Sequence, residues 1–306
     1  MRRYACTKLP KNFFRSLEEG LRQQIAGRGK FAMSTTRTLI KPSRGWVALD
    51  LRALWEYREL LYFLTWRDIK IRYKQTLIGA GWAILQPFLT MVVFSIFFGK
   101  MAKVPSEGVP YPIFSYAGLL LWTYFSTAVT NSSNSLVGSA NLITKIYFPR
   151  LIMPLSSSLA GIVDYFMALI ILIVMMFMYH TPLSPLLLLL PFLLFCSFFA
   201  ATGFGLWLSA VNVKYRDVRY AIPFFIQIGL FATPVIYPTS ILPEKYRWLM
   251  ALNPMAGLTE AHRACILGHH AINGSSLAIS LAVTALIFIT GAFYFRRTER
   301  FFADVI

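Results

Sequence analysis

The chain has 306 residues, of which 57% are hydrophobic and only 14% charged. A soluble domain carries about a quarter of its residues as charge, so a fold wetted on all sides is excluded. The net charge of +17, from 30 Lys+Arg against 13 Asp+Glu, sits between long apolar runs rather than on one polar domain, which argues against nucleic-acid binding and for a membrane surface.

Residues 1–45 are polar and basic and lack the apolar core of a secretory signal peptide. They are expected to be a weakly ordered tail, and a start at Met33 is an alternative beginning. From 46 to 76 the pattern turns helical. Leu54, Tyr57, Leu61 and Leu64 recur at helical spacing, then Trp66, Ile69 and Tyr73 continue an apolar face while Arg67, Lys70 and Lys74 share another. This predicts either an amphipathic helix in the cytoplasmic interface, its bases toward anionic lipid, or a soluble helix on a partner.

A membrane crossing as helix needs about 17–25 apolar residues for roughly 30 Å of hydrocarbon. Six candidates follow, at 80–99, 113–135, 156–179, 186–211, 221–238 and 276–295. Basic residues mark alternate connections: Arg67, Lys70, Arg72 and Lys74 before the first span, Lys145 and Arg150 after the second, Lys214, Arg216 and Arg219 after the fourth, and Arg296, Arg297 and Arg300 after the sixth. Six crossings place them all on one side, the cytoplasmic side, with both termini, the C-terminal one at 301–306. The outer connections carry Lys100, Lys103 and Glu107, then His180, then Lys245, Arg247 and Arg263 beside Glu244 and Glu260. Between spans five and six, Tyr246–Leu252 and Met255–Leu267 flank Asn253-Pro254, each too short to span. They predict a re-entrant helical hairpin or an amphipathic outer loop. The fold class is thus an all-α membrane protein with six transmembrane helices.

No GxxxxGK[ST] loop, HExxH, CxxC or paired-carboxylate cluster occurs. The chain therefore has no recognisable means of binding ATP and no catalytic centre or metal site. Cys6, Cys196 and Cys265 show no pairing pattern. His180, His262, His269 and His270 read as solvated polar residues of the outer side. Asp164 is the carboxylate well inside a span, either a proton or substrate contact or a buried group fixing helix packing. Tyr116, Trp122, Tyr124 and Phe125 cluster in span two, with Phe224, Phe225 and Phe231 in span five. They are candidates to line a sugar path by ring stacking, or are core.

Four strings lie in register: Arg72-Tyr73-Lys74-Gln75-Thr76 running to Gln86-Pro87, Asn141 to Arg150, Asn212 to Val218, and Thr233 to Tyr237 followed by Asn253-Pro254. Together, over about residues 50–300, they resemble the permease subunits of ABC-2 type exporters, and within these the branch exporting O-antigen, capsule and teichoic-acid polysaccharides. The resemblance implies a homodimer in the bacterial inner membrane, with ATP and Mg on two separate cytoplasmic ABC ATPase subunits and none in this chain. It implies a coupling helix at Ser139–Phe148, with Asn141, Leu142, Ile143, Lys145, Phe148, Pro149 and Arg150 as ATPase-coupling residues, Leu142 and Ile143 filling a groove. It also implies an interfacial helix near 50–75, outer gate helices near 240–268 with Asn253 and Pro254, and a cytoplasmic mouth held by Arg216 and Asp217. The substrate is expected to be a polyprenyl-diphosphate-linked glycan whose headgroup Lys70, Arg72 and Lys74 attract. Rival expectations are an ABC-2 exporter of a drug or small lipid, an ion-coupled carrier, and a membrane-embedded enzyme on polyprenyl carriers.

Overall fold

A computed structural model describes residues 51–74, 79, 81–182, 184–215, 217–268, 272–299 and 302. The expected tail 1–45, Gln75 to Ile78, Arg216, the His269–His270 pair and all but Phe302 of 301–306 lie outside the described residues.

Every regular element among the described residues is helical. The order is α1 (Leu51–Glu56), α2 (Arg58–Lys74), α3 (Gly81–Phe94), α4 (Tyr111–Gly138), α5 (Ala140–Lys145), α6 (Ile152–Met178), α7 (Leu190–Lys214), α8 (Val218–Ala232), α9 (Glu244–Ala251), α10 (Pro254–Leu267) and α11 (Gly274–Glu299). A π-helix over Ser95–Met101 prolongs α3, and a 3₁₀ turn over Pro185–Leu189 leads into α7. Five of these helices are long and apolar enough to cross a membrane: Gly81–Met101, α4, α6, Pro185–Lys214 and α11.

The expected fifth span, 221–238, ends early. α8 has 15 residues, about 22 Å of helix, which is short of the roughly 30 Å hydrocarbon core. Pro234 supplies no N–H and disfavours helical backbone at the residue before it. Thr233 is accordingly extended, at φ −106° and ψ 143°.

α4 is the axis of the bundle. Its most apolar stretch is 78% buried, against 11% for α3 and 22% for α11, with α6 and α7 packed along it and α3 and α10 beside it. Small side chains permit this. Ser115, Ala117, Ser132 and Ser133 of α4 are wholly buried, and Asn212 of α7 donates from Nδ2 to Ser133 O at 3.0 Å and Asn134 Oδ1 at 3.2 Å. α7 and α11 also approach closely. A Cβ on Gly203 would lie 2.9 Å from the Phe288 backbone, and one on Gly291 would lie 2.5 Å from Gly203 O. Small residues at such crossings let backbones meet, and van der Waals contact then holds helices that lipid would solvate equally well apart.

One end of the bundle has its own apolar cluster. It gathers Leu64, Leu136, Ile143, Phe148, Ile152, Val213, Phe295 and Phe302. The base-bearing connections around Lys145, Arg150, Lys214 and Arg296 therefore lie at one end, as the charge pattern requires.

Candidate functional site

Three structures stand out at this end, along the side and at the far end: the 139–150 connection, a clasp between α2 and α6, and the break after α8.

In the 139–150 connection α5 is a single short turn and a half. Ile143 is 6% exposed and Phe148 4%, and Leu142 packs against the same cluster. Ile143 thus fills a groove in its own chain rather than one on another protein, because the helix between α4 and α6 must bury one face to be held at all, while Leu142 stays partly exposed. The surface presented outward is Asn141, Thr144, Lys145, Ile146 and Tyr147, with Ile146 56% and Tyr147 71% exposed. Arg150, expected to couple, is turned to the end of α11. Its backbone N–H donates to Glu299 Oε1 at 3.2 Å, its guanidinium donates to Glu299 O, and its charge sits 6.0 Å from the Phe302 ring centroid. Pro149 is half-buried beside it.

The clasp uses an i, i+4 row on α2. Leu64 is buried, Ser157 of α6 donates to Asp68 Oδ2 at 3.3 Å, and Arg72 and Tyr73 both donate to Asp164. Burial raises the Tyr73 phenol pKa, and the bond to Asp164 raises it further, so Tyr73 keeps the proton it donates. Asp164, midway along α6, is therefore tied to α2 rather than a lone charge in the span. Arg72, expected beside Lys70 and Lys74 as a headgroup contact, is spent within the protomer. Lys70 and Lys74 are exposed, on the same outward side as Trp55, Tyr62, Phe63, Trp66 and Ile71. Trp66, expected on the apolar face of this helix, is among these exposed residues.

The break after α8 frees backbone carbonyls that no helix can reuse. Side chains accept the task. Arg263 of α10 donates from Nη2 to Pro234 O at 2.8 Å and Val235 O at 2.9 Å, and from Nε to Phe114 O at 3.3 Å. Tyr111 of α4 donates to Ile236 O at 2.8 Å, and Tyr237 donates to Phe231 O at 2.9 Å. Asn253 closes the arrangement. Its Nδ2 donates to Thr233 Oγ1 at 2.8 Å while its Oδ1 caps α10 by accepting from Met255 N at 3.0 Å, with Pro254 at the first helical position. Asn253→Ala is expected to lower stability by about 1 kcal/mol, the value of a lost N-cap, read as a fall in melting temperature of the detergent-solubilised protein.

Nearly every residue of α10 is buried, which overturns the plain amphipathic-loop alternative for that helix. His262, expected to be solvated, is 0% exposed. Its Nδ1 donates to Ala117 O at 3.0 Å, so its Nε2 accepts from the Tyr165 hydroxyl at 2.9 Å. Neither Arg263 nor His262 was legible as a core residue, since both are ordinarily surface types in a segment too short to span.

The four aromatics expected along a path are core instead. Tyr116, Trp122, Tyr124 and Phe125 are 0%, 6%, 2% and 7% exposed, because α4 is packed between α3, α6, α7 and α10. The outward rings lie on α8, where Tyr220, Phe224, Phe225 and Phe231 are exposed, and on α3 and its π-helical extension, where Trp82, Phe88 and Phe97 are. Gln227 and Gln86 are exposed among them. Asp217, at the start of α8, is exposed; Arg216, expected with it at the cytoplasmic mouth, is outside the described residues. No cluster of three or more metal-ligating side chains occurs among the described residues.

Long apolar helices around a buried axis, a short helix between α4 and α6 with an exposed apolar tip, and a broken helix braced at the far end define a multi-pass membrane permease. The chain belongs to the ABC-2 type transporter family, whose model matches residues 59–267. It is similar to an O-antigen export system permease protein RfbA of Myxococcus xanthus, 31% identical over 84% of this chain and 98% of that one. An O-antigen export system permease protein RfbA of Klebsiella pneumoniae is 25% identical over 81% of this chain and 95% of its own length. A polysialic acid transport protein KpsM of Escherichia coli is 22% identical over 76% and 91%.

Proposed function

We propose that this chain is the membrane subunit of an ATP-driven exporter that moves a polyprenyl-diphosphate-linked polysaccharide out of the bacterial cytoplasm. The observation that carries the reading is near-full-length similarity to O-antigen permeases, joined to an outward face whose chemistry suits sugar. On α3 and α8 exposed rings alternate with Gln86 and Gln227. Amides facing lipid within a span are costly, so these two helix surfaces border a second copy of the chain and a wetted path between the two. Rings along it stack on sugars without holding them tightly.

In this reading α8 and the braced segment after it complete a sixth crossing, with α9 and α10 as a hairpin re-entering from outside; support comes from the side-chain bracing, which is what irregular backbone needs at membrane depth. Both termini are cytoplasmic in the inner membrane. α2 lies in the interface, and Lys70 and Lys74 draw the lipid diphosphate toward it. Two ABC ATPase subunits, carrying ATP and Mg, dock on the 139–150 connection. Arg216 and Asp217 border the inner mouth, and Asn253 and Pro254 hold the outer gate. Proteoliposomes holding the permease and its genomic-neighbour ATPase are expected to take up lipid-linked glycan only with ATP, protected from added glycosidase. Uptake without ATP, or transport of a drug or small lipid alone, sinks the proposal.

A further inference from the structure

Two cavities at the α9–α10 end share a wall. One, of about 260 Å³, includes Glu107, Ser240 and Arg263 in its lining. The other, of about 180 Å³, includes Leu242, Trp248 and Ile279. Thr239, Arg247, Glu260 and Asn273 line both, so the two are lobes of a single cleft, one polar and one apolar.

We propose that this cleft binds a neutral sugar ring on the outer side of the permease. The inference rests on the glycan-export reading for its natural ligand, and on its own geometry for the chemistry. Two carboxylates, Glu107 and Glu260, face two guanidiniums, Arg247 and Arg263. Formal charge balances, so neither a phosphate nor a cation gains from the local field, whereas a hydroxyl-rich neutral ligand finds strong acceptors and donors together. The wall already makes the bonds such a ligand would make. The Thr239 hydroxyl donates to Glu260 Oε1, and the Ser240 hydroxyl donates to Glu107 Oε1 at 3.1 Å. Asn273 Oδ1 accepts from Ser275 and Ser276, so the donor on that residue is its Nδ2.

The second lobe supplies what polar groups do not. Trp248 is 62% exposed, an indole left beside Leu242 and Ile279. A sugar ring has a hydroxyl edge and a C–H face. The hydroxyls go to Glu260, Arg247 and Asn273 on the shared wall, and the C–H face goes against the indole. A lipid tail does not fit, since four charged side chains line the wider lobe.

Saturation-transfer NMR on the full chain in lipid nanodiscs tests this, with the methyl glycosides of glucose, galactose, mannose and rhamnose as probes. At least one is expected to show transfer to its ring protons. Trp248→Ala is expected to weaken that binding about tenfold, Glu260→Gln similarly, and Trp55→Ala, on a helix remote in the chain, not at all. Trp248→Ala decides the matter alone if Glu260→Gln fails to fold, because its side chain is exposed. Absence of transfer from every probe, or transfer undiminished by both cleft variants, overturns the cleft. A permease that exports glycan yet binds no probe sinks the cleft alone; one that binds here yet exports no glycan sinks the export reading alone.

Discussion

Tyr147→Asp is expected to abolish ATP-driven export while leaving the permease folded, inserted and as heat-stable as the parent. The connection that carries Tyr147 has two faces. Ile143 and Phe148 point inward to a cluster shared with α2, α6, α7 and α11, whereas Tyr147 and Ile146 point away from it, 71% and 56% exposed. An exposed aromatic on a short connection is the kind of residue that carries interface energy, and losing it costs about 2 kcal/mol or more, a factor of thirty in affinity. The buried face predicts the opposite pattern. Ile143→Asp places a carboxylate in an apolar cluster and is expected to cost about 3 kcal/mol or more of stability, so export falls because the protein does. Thermal denaturation read beside co-purification of the ATPase separates the two. If Tyr147→Asp retains its ATPase, and Leu142→Asp loses it at unchanged stability, the outward face has been assigned wrongly.

The spans were legible because their signal is a length of uninterrupted apolar sequence, and five of six appear within a few residues of where hydropathy puts them. The hairpin pieces at Tyr246–Leu252 and Met255–Leu267 were legible from Asn253-Pro254, since an N-cap followed by proline is a local signal. What hydropathy cannot carry is which side of a helix meets protein. α4 and α8 are both aromatic-rich, yet the rings of α4 are core and those of α8 are exposed; only the order of packing decides. The same limit hid the partners of Asp164, which come from α2, 91 and 92 residues earlier. Arg263 was misplaced for a related reason. A guanidinium in a connecting segment reads as solvated unless one knows that the chain 29 residues before it has broken open.

That break makes Arg263 the residue whose loss should damage this end of the bundle most. Arg263→Met keeps much of the side-chain volume and removes the donors, so the carbonyls of Pro234 and Val235 lose their partner together, while Phe114 O keeps its bond within α4. Each buried carbonyl left unpaired costs about 1–3 kcal/mol. Removing the guanidinium also removes the cost of burying a charge, 4% exposed and 3.8 Å above the Phe114 ring. Two orphaned acceptors outweigh that relief, and a net loss of about 2 kcal/mol is expected. It should appear locally first, as protease cleavage and faster hydrogen exchange over 233–243, before the α4–α6–α7 core melts. Arg263→Lys keeps the charge but offers a point donor in place of a fork, so it should recover only part of the protection. Full protection in Arg263→Lys would mean that charge alone, drawn to Glu107 and Glu260, holds the segment. Unchanged protection in Arg263→Met would mean that the break is braced by Tyr111 and Asn253 without it.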